Sequence, residues 1–295
     1  MKNSARAALY FLLPSFVFVG LFSIFPIVES FRLSFYRLIL ILPWLGQKMV
    51  GIENYTDLVS DPVARDAFGA TLLFITVTIP LELLFGLGIA LILNQTFRGR
   101  GLLRAVVLIP WAIPTVVSSQ MWRFIFNDRY GLVNFLLFGA DTSRYIAALA
   151  DPYLAMISIM AAEIWKTTPF AALIILAGLQ GISDDLYEAA SVDGASSWQK
   201  FRHITLPLLK PALLLALLFR TIDALRVFDL VYVMTQGGPA DATNVLQFYG
   251  YKKTFAEGMV GYGSAIAVTV FAMSLALSLA YLRVFRTSRL QGRNP

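Results

Sequence analysis

The sequence predicts an all-α membrane protein with six transmembrane helices. Three observations carry this. First, 58% of the residues are hydrophobic and only 14% are charged, whereas a soluble domain carries about a quarter charged residues. Second, apolar runs of membrane-spanning length recur at roughly 8–28, 69–93, 102–126, 153–180, 211–234 and 262–284. Third, these runs do not alternate as the short strands of an outer-membrane barrel do. A helix pairs its own backbone groups within the segment, which lipid requires.

The first run follows Lys2 and Arg6. It is too long for a signal-peptide core and lacks a small-x-small cleavage site, so it reads as a retained span. Loop 29–68 should continue that helix through Phe31, Leu33 and Phe35. Gly51 to Tyr55 then make a glycine turn into a short amphipathic stretch. The second run contains Glu82. Loop 127–152 opens on Asn127 to Gly131, a turn-rich stretch. After the fifth run, Gln236 to Pro239 force a sharp stop. Pro14, Pro26, Pro80, Pro110, Pro114 and Pro169 mark kinks, which either line cavities or serve packing. The chain reads as a single membrane domain over 1–295.

Orientation follows from Lys and Arg. With the N-terminus in the cytoplasm, the inner segments hold Lys2, Arg6, Arg98, Arg100, Arg104, Lys200, Arg202, Lys210, Arg283, Arg286, Arg289 and Arg293. The longer outer loops hold only Arg32, Arg37, Lys48, Arg65, Arg129, Arg144, Lys252 and Lys253. The bias predicts N-in, C-in. The net charge of +6 is thus a topology signal, and no basic-aromatic cluster points to nucleic acid. There is no cysteine and one histidine, His203, which reads as a solvated or interface residue and cannot build a histidine-rich metal site. An enzyme would need a nucleophile–base pair or a metal. No phosphate loop is present, so any ATP is bound by another chain.

Several charges fall inside the runs. Arg220, Asp223, Arg226 and Asp229 recur every three residues with alternating sign, and should trace a stripe along one helix. Glu163 and Lys166 are likewise three apart. An unpaired charge at mid-membrane costs roughly 2.5–3.5 kcal/mol. These groups therefore pair, or face a watery cavity or a partner. They form a translocation path or gate, or else structural ion pairs. Trp165, Phe170, Phe228, Tyr232 and Tyr249 could stack on sugar rings, or serve as packing and interface anchors.

Residues 184–211 are polar but keep an apolar face. Ser183 suits an N-cap, and Asp184 and Asp185 suit the positive end of a helix dipole. Leu186, Tyr187, Ala190 and Trp198 can cover one side. Ala189 and Ala190 keep the helix slim. Gly194 predicts a turn between two short helices, and Pro207 and Pro211 the start of the next. On residues alone the stretch is a docking loop or a helix lying on the membrane.

The spacing of Glu188, Ala189, Ala190, Asp193, Gly194, Ile204 and Pro207 resembles the EAA loop of ATP-binding-cassette importer permeases. The carbohydrate-uptake branch is similar along nearly the whole chain. Leu12-Leu13-Pro14, Gly51 to Tyr55, Glu163 to Phe170 and Arg220 to Pro239 carry that likeness. The resemblance implies a type I importer permease fold in a bacterial or archaeal cytoplasmic membrane, with residues 183–207 coupling to an ATPase. It implies a second related permease, two ATPase subunits that bind ATP and Mg, and an extracytoplasmic solute-binding protein. It implies no cofactor in this chain. The implied substrate is a disaccharide such as trehalose or maltose, or alternatively another oligosaccharide, a polyol or glycerol-3-phosphate. A channel or scaffold working without ATP is the remote alternative. The path or gate residues are then Glu163, Trp165, Lys166, Arg220, Asp223, Arg226, Phe228, Asp229 and Tyr232.

Overall fold

The computed structural model describes residues 2–291, with side chains over residues 11–283. The side chains of Lys2, Arg6, Arg286 and Arg289, and the residue Arg293, lie outside the described residues. The chain divides into two compact units, Met1–Arg65 with Tyr249–Ala272, and Asp66–Phe248 with Met273–Pro295.

In the first unit, α1 (Lys2–Val19) passes through a π turn (Gly20–Ile24) into α2 (Phe25–Leu33). Pro26 lies in the first turn of α2, just past Phe25, and has no N–H to bond the Phe22 carbonyl, so a regular ladder is impossible there. The helix runs on through Phe31 and Leu33, as expected, and stops before Phe35. Strand β1 (Tyr36–Arg37) pairs antiparallel with β2 (Lys48–Met49). The turn at Gly51 then feeds α3 (Glu53–Ser60). Buried Asn54 pins α3 to the end of α2: its Nδ2 donates to the Ser34 carbonyl at 2.8 Å and to the Tyr36 carbonyl at 3.0 Å. Tyr55 adds a bond from Oη to Ser34 Oγ at 2.7 Å.

Asp61 caps the next helix, α4 (Pro62–Asn94), by accepting from the Val63 N–H at 2.9 Å. Tyr249 and Tyr262 donate to its other oxygen. Burial alone would raise the Asp61 carboxyl. The hydrogen bonds from Tyr249, Tyr262, Val63 and Ala64 outweigh it and hold the group below the usual carboxylate range. Tyr249 is itself buried, with Tyr262 edge-on and the Lys253 ammonium over its ring. It therefore presents no open face for a sugar.

The second unit continues with α5 (Arg100–Ala112), α6 (Thr115–Ile125), α7 (Leu132–Phe138) and α8 (Pro152–Leu179). Then come α9 (Asp184–Val192), α10 (Ser197–Lys200), α11 (Leu206–Leu225) and α12 (Asp229–Met234). Helices α13 (Leu246–Tyr251) and α14 (Val260–Gln291) close the chain. Asp151 starts α8 by accepting from the N–H groups of Tyr153 and Leu154, with Pro152 in the first turn. Most of α8 is buried, because it is apolar on every side and sits centrally. The core joins Ala90 and Leu93 of α4, Ile175, Leu176 and Leu179 of α8, and Leu209 and Ala216 of α11. Small residues allow this closeness, as is usual where lipid offers no hydrophobic drive between helices. A Cβ on Gly178 would lie 2.4 Å from the Ala212 Cβ.

Among the described residues, four helices are long and apolar enough to cross a membrane: Phe11–Leu33, Pro62–Asn94, Pro152–Leu179 and Val260–Arg283. The α5–α6 pair makes a fifth if read as one broken span. Its run, 102–126, is bent by 90°. Pro114 forces Ile113 into an extended conformation, which stops α5 there. The run 211–234 is also divided. Helix α11 ends at Leu225, and α12 begins at Asp229. Lys210, Arg220 and Asp223 place three charged residues along α11, whereas the most apolar stretch of each of the four holds at most two. Pro207 lies in the first turn of α11 as expected, whereas Pro211 lies inside the helix.

Candidate functional site

Arg220 is 2% exposed near the end of α11. Its Nε donates to Glu82 Oε2 of α4 at 2.6 Å, and its Nη2 donates to Glu82 Oε1 at 3.2 Å and to Glu163 Oε1 of α8 at 2.7 Å. Its Nη1 reaches Asp223 at 3.4 Å. One guanidinium thus ties three helices together. Its planar fork of donors lets a single cation serve several carboxylates.

The expected stripe holds only in part: Arg220 and Asp223 pair along α11 at 3.4 Å, and the rest is corrected. The main partners of Arg220 come from other helices, and Asp229 belongs to a different helix from Arg220. The backbone leaves α11 at Arg226 (φ −104°, ψ 15°). No proline or glycine stands between Arg226 and Asp229, so periodicity reads straight across the break. Glu163 and Lys166 do not pair either. The Lys166 ammonium donates to the Ile113 carbonyl at 2.6 Å. That carbonyl lies at the C-terminal end of α5, where unpaired carbonyls favour a cation. Lys166 therefore fastens α8 to the bend.

A cavity of about 600 Å³ opens beside the bend. Trp111, Ile113, Pro114 and Thr115 line one side; Glu163, Lys166 and Thr167 of α8 line another. Arg220, Asp223, Arg226, Phe228 and Asp229 complete it. Arg226 and Asp229 are exposed and form no ion pair among the described residues. The lining balances Lys166, Arg220 and Arg226 against Glu163, Asp223 and Asp229. A polar cavity with balanced charge can hold a solute through hydrogen bonds.

Seven of the nine sequence-picked path residues meet in this cavity. Trp165 and Tyr232 do not line it. Trp165 packs edge-on against Trp122 at 5.6 Å between centroids, and Tyr232 stacks on Phe228 at 5.3 Å. Phe170 stacks on Trp111 at 5.7 Å. Trp111, Ile113 and Thr115 also line the cavity, and in the sequence the neighbouring Pro114 marks this stretch. Glu82 stood out as an intramembrane charge, but nothing local named its partner.

The second candidate region is the loop after α8. Ser183 caps α9, accepting from the Asp185 N–H. Gly194 turns the chain with φ +76°, in the left-handed region that favours glycine. Ser196 and Gln199 form a reciprocal capping box on α10. A π turn, Phe201–Thr205, joins α10 to α11. The His203 Nδ1 donates to the Gln199 carbonyl at 3.0 Å. Glu188, Ala189, Asp193, Gly194 and Pro207 are exposed, and Ala190 and Ile204 are half-buried. The expected apolar side is split. Tyr187 and Ala190 turn inward, while Leu186 and Trp198 face outward.

Residues 82–289 match the family described as "Binding-protein-dependent transport system inner membrane component". The "Trehalose/maltose transport system permease protein MalF" of Thermococcus litoralis is 43% identical over 97% of this chain and 96% of its own length. The "Sulfoquinovosyl glycerol transport system permease protein SmoG" of Agrobacterium fabrum is 40% identical over 95% of this chain and 90% of its own. A crystal structure of a bacterial ABC transporter importing the acidic polysaccharide alginate superposes with a TM-score of 0.81. It covers 97% of this chain and 98% of its own at 22% identity, which speaks to fold. The apolar helices, the broken span and the match over most of its length lead to one conclusion: this chain belongs to the binding-protein-dependent transport system inner membrane components, and is a multi-pass membrane permease.

Proposed function

We propose that the chain is the permease subunit of an ATP-driven importer for a disaccharide of the trehalose or maltose kind. The observation that carries this is a helical path that starts in the Glu188–Pro207 loop and ends at a charged cavity. The whole chain acts as a single permease domain. Six crossings follow if α5–α6 and α11 each count as one, with both ends in the cytoplasm. The loop at Glu188, Ala189, Ala190, Asp193, Gly194, Ile204 and Pro207 couples to an ATPase, which binds ATP and Mg. Two such ATPase subunits, a second permease and an extracytoplasmic solute-binding protein complete the complex.

In the alternating-access cycle, ATP closes the ATPase dimer and the loop moves as a lever, and hydrolysis resets it. A ligand shifts such an equilibrium only by its differential affinity for the two states. Balanced charge in the cavity suits a neutral, polyhydroxylated solute. The sulfoquinovosyl glycerol relative supports a second reading, an anionic sugar derivative held at Lys166 and Arg226. The test is ATPase activity of the complex in lipid nanodiscs with binding protein loaded with trehalose, maltose, a sulfonated glycoside or nothing. Stimulation by one loaded form identifies the solute. Absence of a co-purifying ATPase would sink the coupling role.

A further inference from the structure

The chain from Ser197 through the π turn to Leu225 is one continuous right-handed helix. At 1.5 Å per residue it spans roughly 40 Å. Its far end carries Arg220, which grips Glu82 and Glu163. Its near end begins just after the Gly194 turn. Helix α9, which carries Glu188 to Ala190, is therefore not part of this rod. Backbone bonds from the Gly194 N–H to the Ser191 carbonyl at 3.1 Å and from the Ala195 N–H to the Ala190 carbonyl at 2.9 Å cap α9, but they do not reach α10, so the turn is a hinge.

Two side-chain contacts close that hinge. The Lys200 ammonium donates to Ser191 Oγ at 2.7 Å, an exposed contact open to water. Tyr187 Oη and Thr205 Oγ1 share a hydrogen bond at 2.9 Å. Thr205 is 5% exposed and closes the π turn. Single π turns recur at functional positions within helices, and here the turn presents Thr205 to Tyr187. Shielded hydrogen bonds resist competition from water better than exposed ones.

We infer that the Tyr187–Thr205 contact is a latch that makes α9 and α11 move together, so that motion of the coupling loop reaches the Arg220 cluster. Both are positioning residues. The inference rests on the coupling role proposed for the Glu188–Pro207 loop. It assigns transmission to Tyr187 and Thr205, and it gives the ring hydroxyl a task distinct from the exposed residues that would touch an ATPase.

The experiment uses the reconstituted complex with its ATPase, second permease and binding protein, and reads solute taken up per ATP hydrolysed. Tyr187→Phe and Thr205→Val each remove one hydroxyl and little volume. Each should leave assembly and stimulated ATPase within about twofold of normal, while uptake per ATP falls by about fivefold or more, the low end of typical coupling. The double variant should be no worse than either single one. Thr205→Ser keeps the hydroxyl and should restore uptake per ATP. Unchanged uptake per ATP in both single variants overturns the latch, as does additive loss in the double variant or failure of Thr205→Ser to rescue. Gly194→Leu separates the two levels. If it abolishes uptake while Tyr187→Phe and Thr205→Val are normal, the latch alone is wrong. If it leaves uptake intact, the coupling role of the loop is wrong.

Discussion

Replacing Arg220 with Met is the most informative perturbation of the buried cluster. Glu82 and Glu163 are 0% and 6% exposed, and three hydrogen bonds of 2.6, 3.2 and 2.7 Å from one guanidinium satisfy them. Met fills similar volume but leaves two carboxylates with no cation. Breaking one buried pair costs about 3–5 kcal/mol, and at roughly 2–4 °C per kcal/mol the melting temperature should fall on the order of 10 °C. The assay is a thermal melt of the purified complex. The neutral triple variant Glu82→Gln, Glu163→Gln, Arg220→Met should recover most of the loss, because an uncharged, packed set avoids the desolvation cost. A melt of Arg220→Met within about 2 °C of the original, well below the shift expected from that pair energy, would refute the account. So would a triple variant no more stable than the single one.

Three further outcomes follow from other sites. Gly178→Leu places a side chain where even a Cβ lies 2.4 Å from Ala212. It should cost about 1–3 kcal/mol by overpacking, seen as a lower melting temperature that Ala212→Gly partly restores. Lys166→Met removes the bond to the Ile113 carbonyl, at about 1.5–3 kcal/mol for a charged donor. Cysteine accessibility at Thr115 should rise, and an unchanged labelling rate would count against the fastening role. Asp61 has a folded-state pKa below its ordinary value of 3.8. Its contribution is therefore fully present above about pH 4, and is lost as pH falls through the folded value. Amide exchange at residues 63–65 should rise on acidification below pH 4, and Asp61→Asn should flatten that dependence.

The sequence by itself determined the helical class, the apolar runs and the local devices. Ser183, Gly194 and Pro114 act on backbone only a few residues away, so residue type alone announces a cap, a turn or a break. Gly194 likewise announced the turn between the two short helices α9 and α10. Tertiary structure decided the rest. Arg220 pairs with Glu82, 138 positions earlier, and Lys166 takes the Ile113 carbonyl, 53 positions earlier. Periodicity instead favoured partners three residues away. A charge within an apolar run shows that it must find a partner or a watery cavity. Which helix supplies the partner depends on where Gly86, Gly178 and their alanine neighbours let the helices approach. The end of α11 at Leu225 has no breaker residue, so nothing in the local sequence announces it.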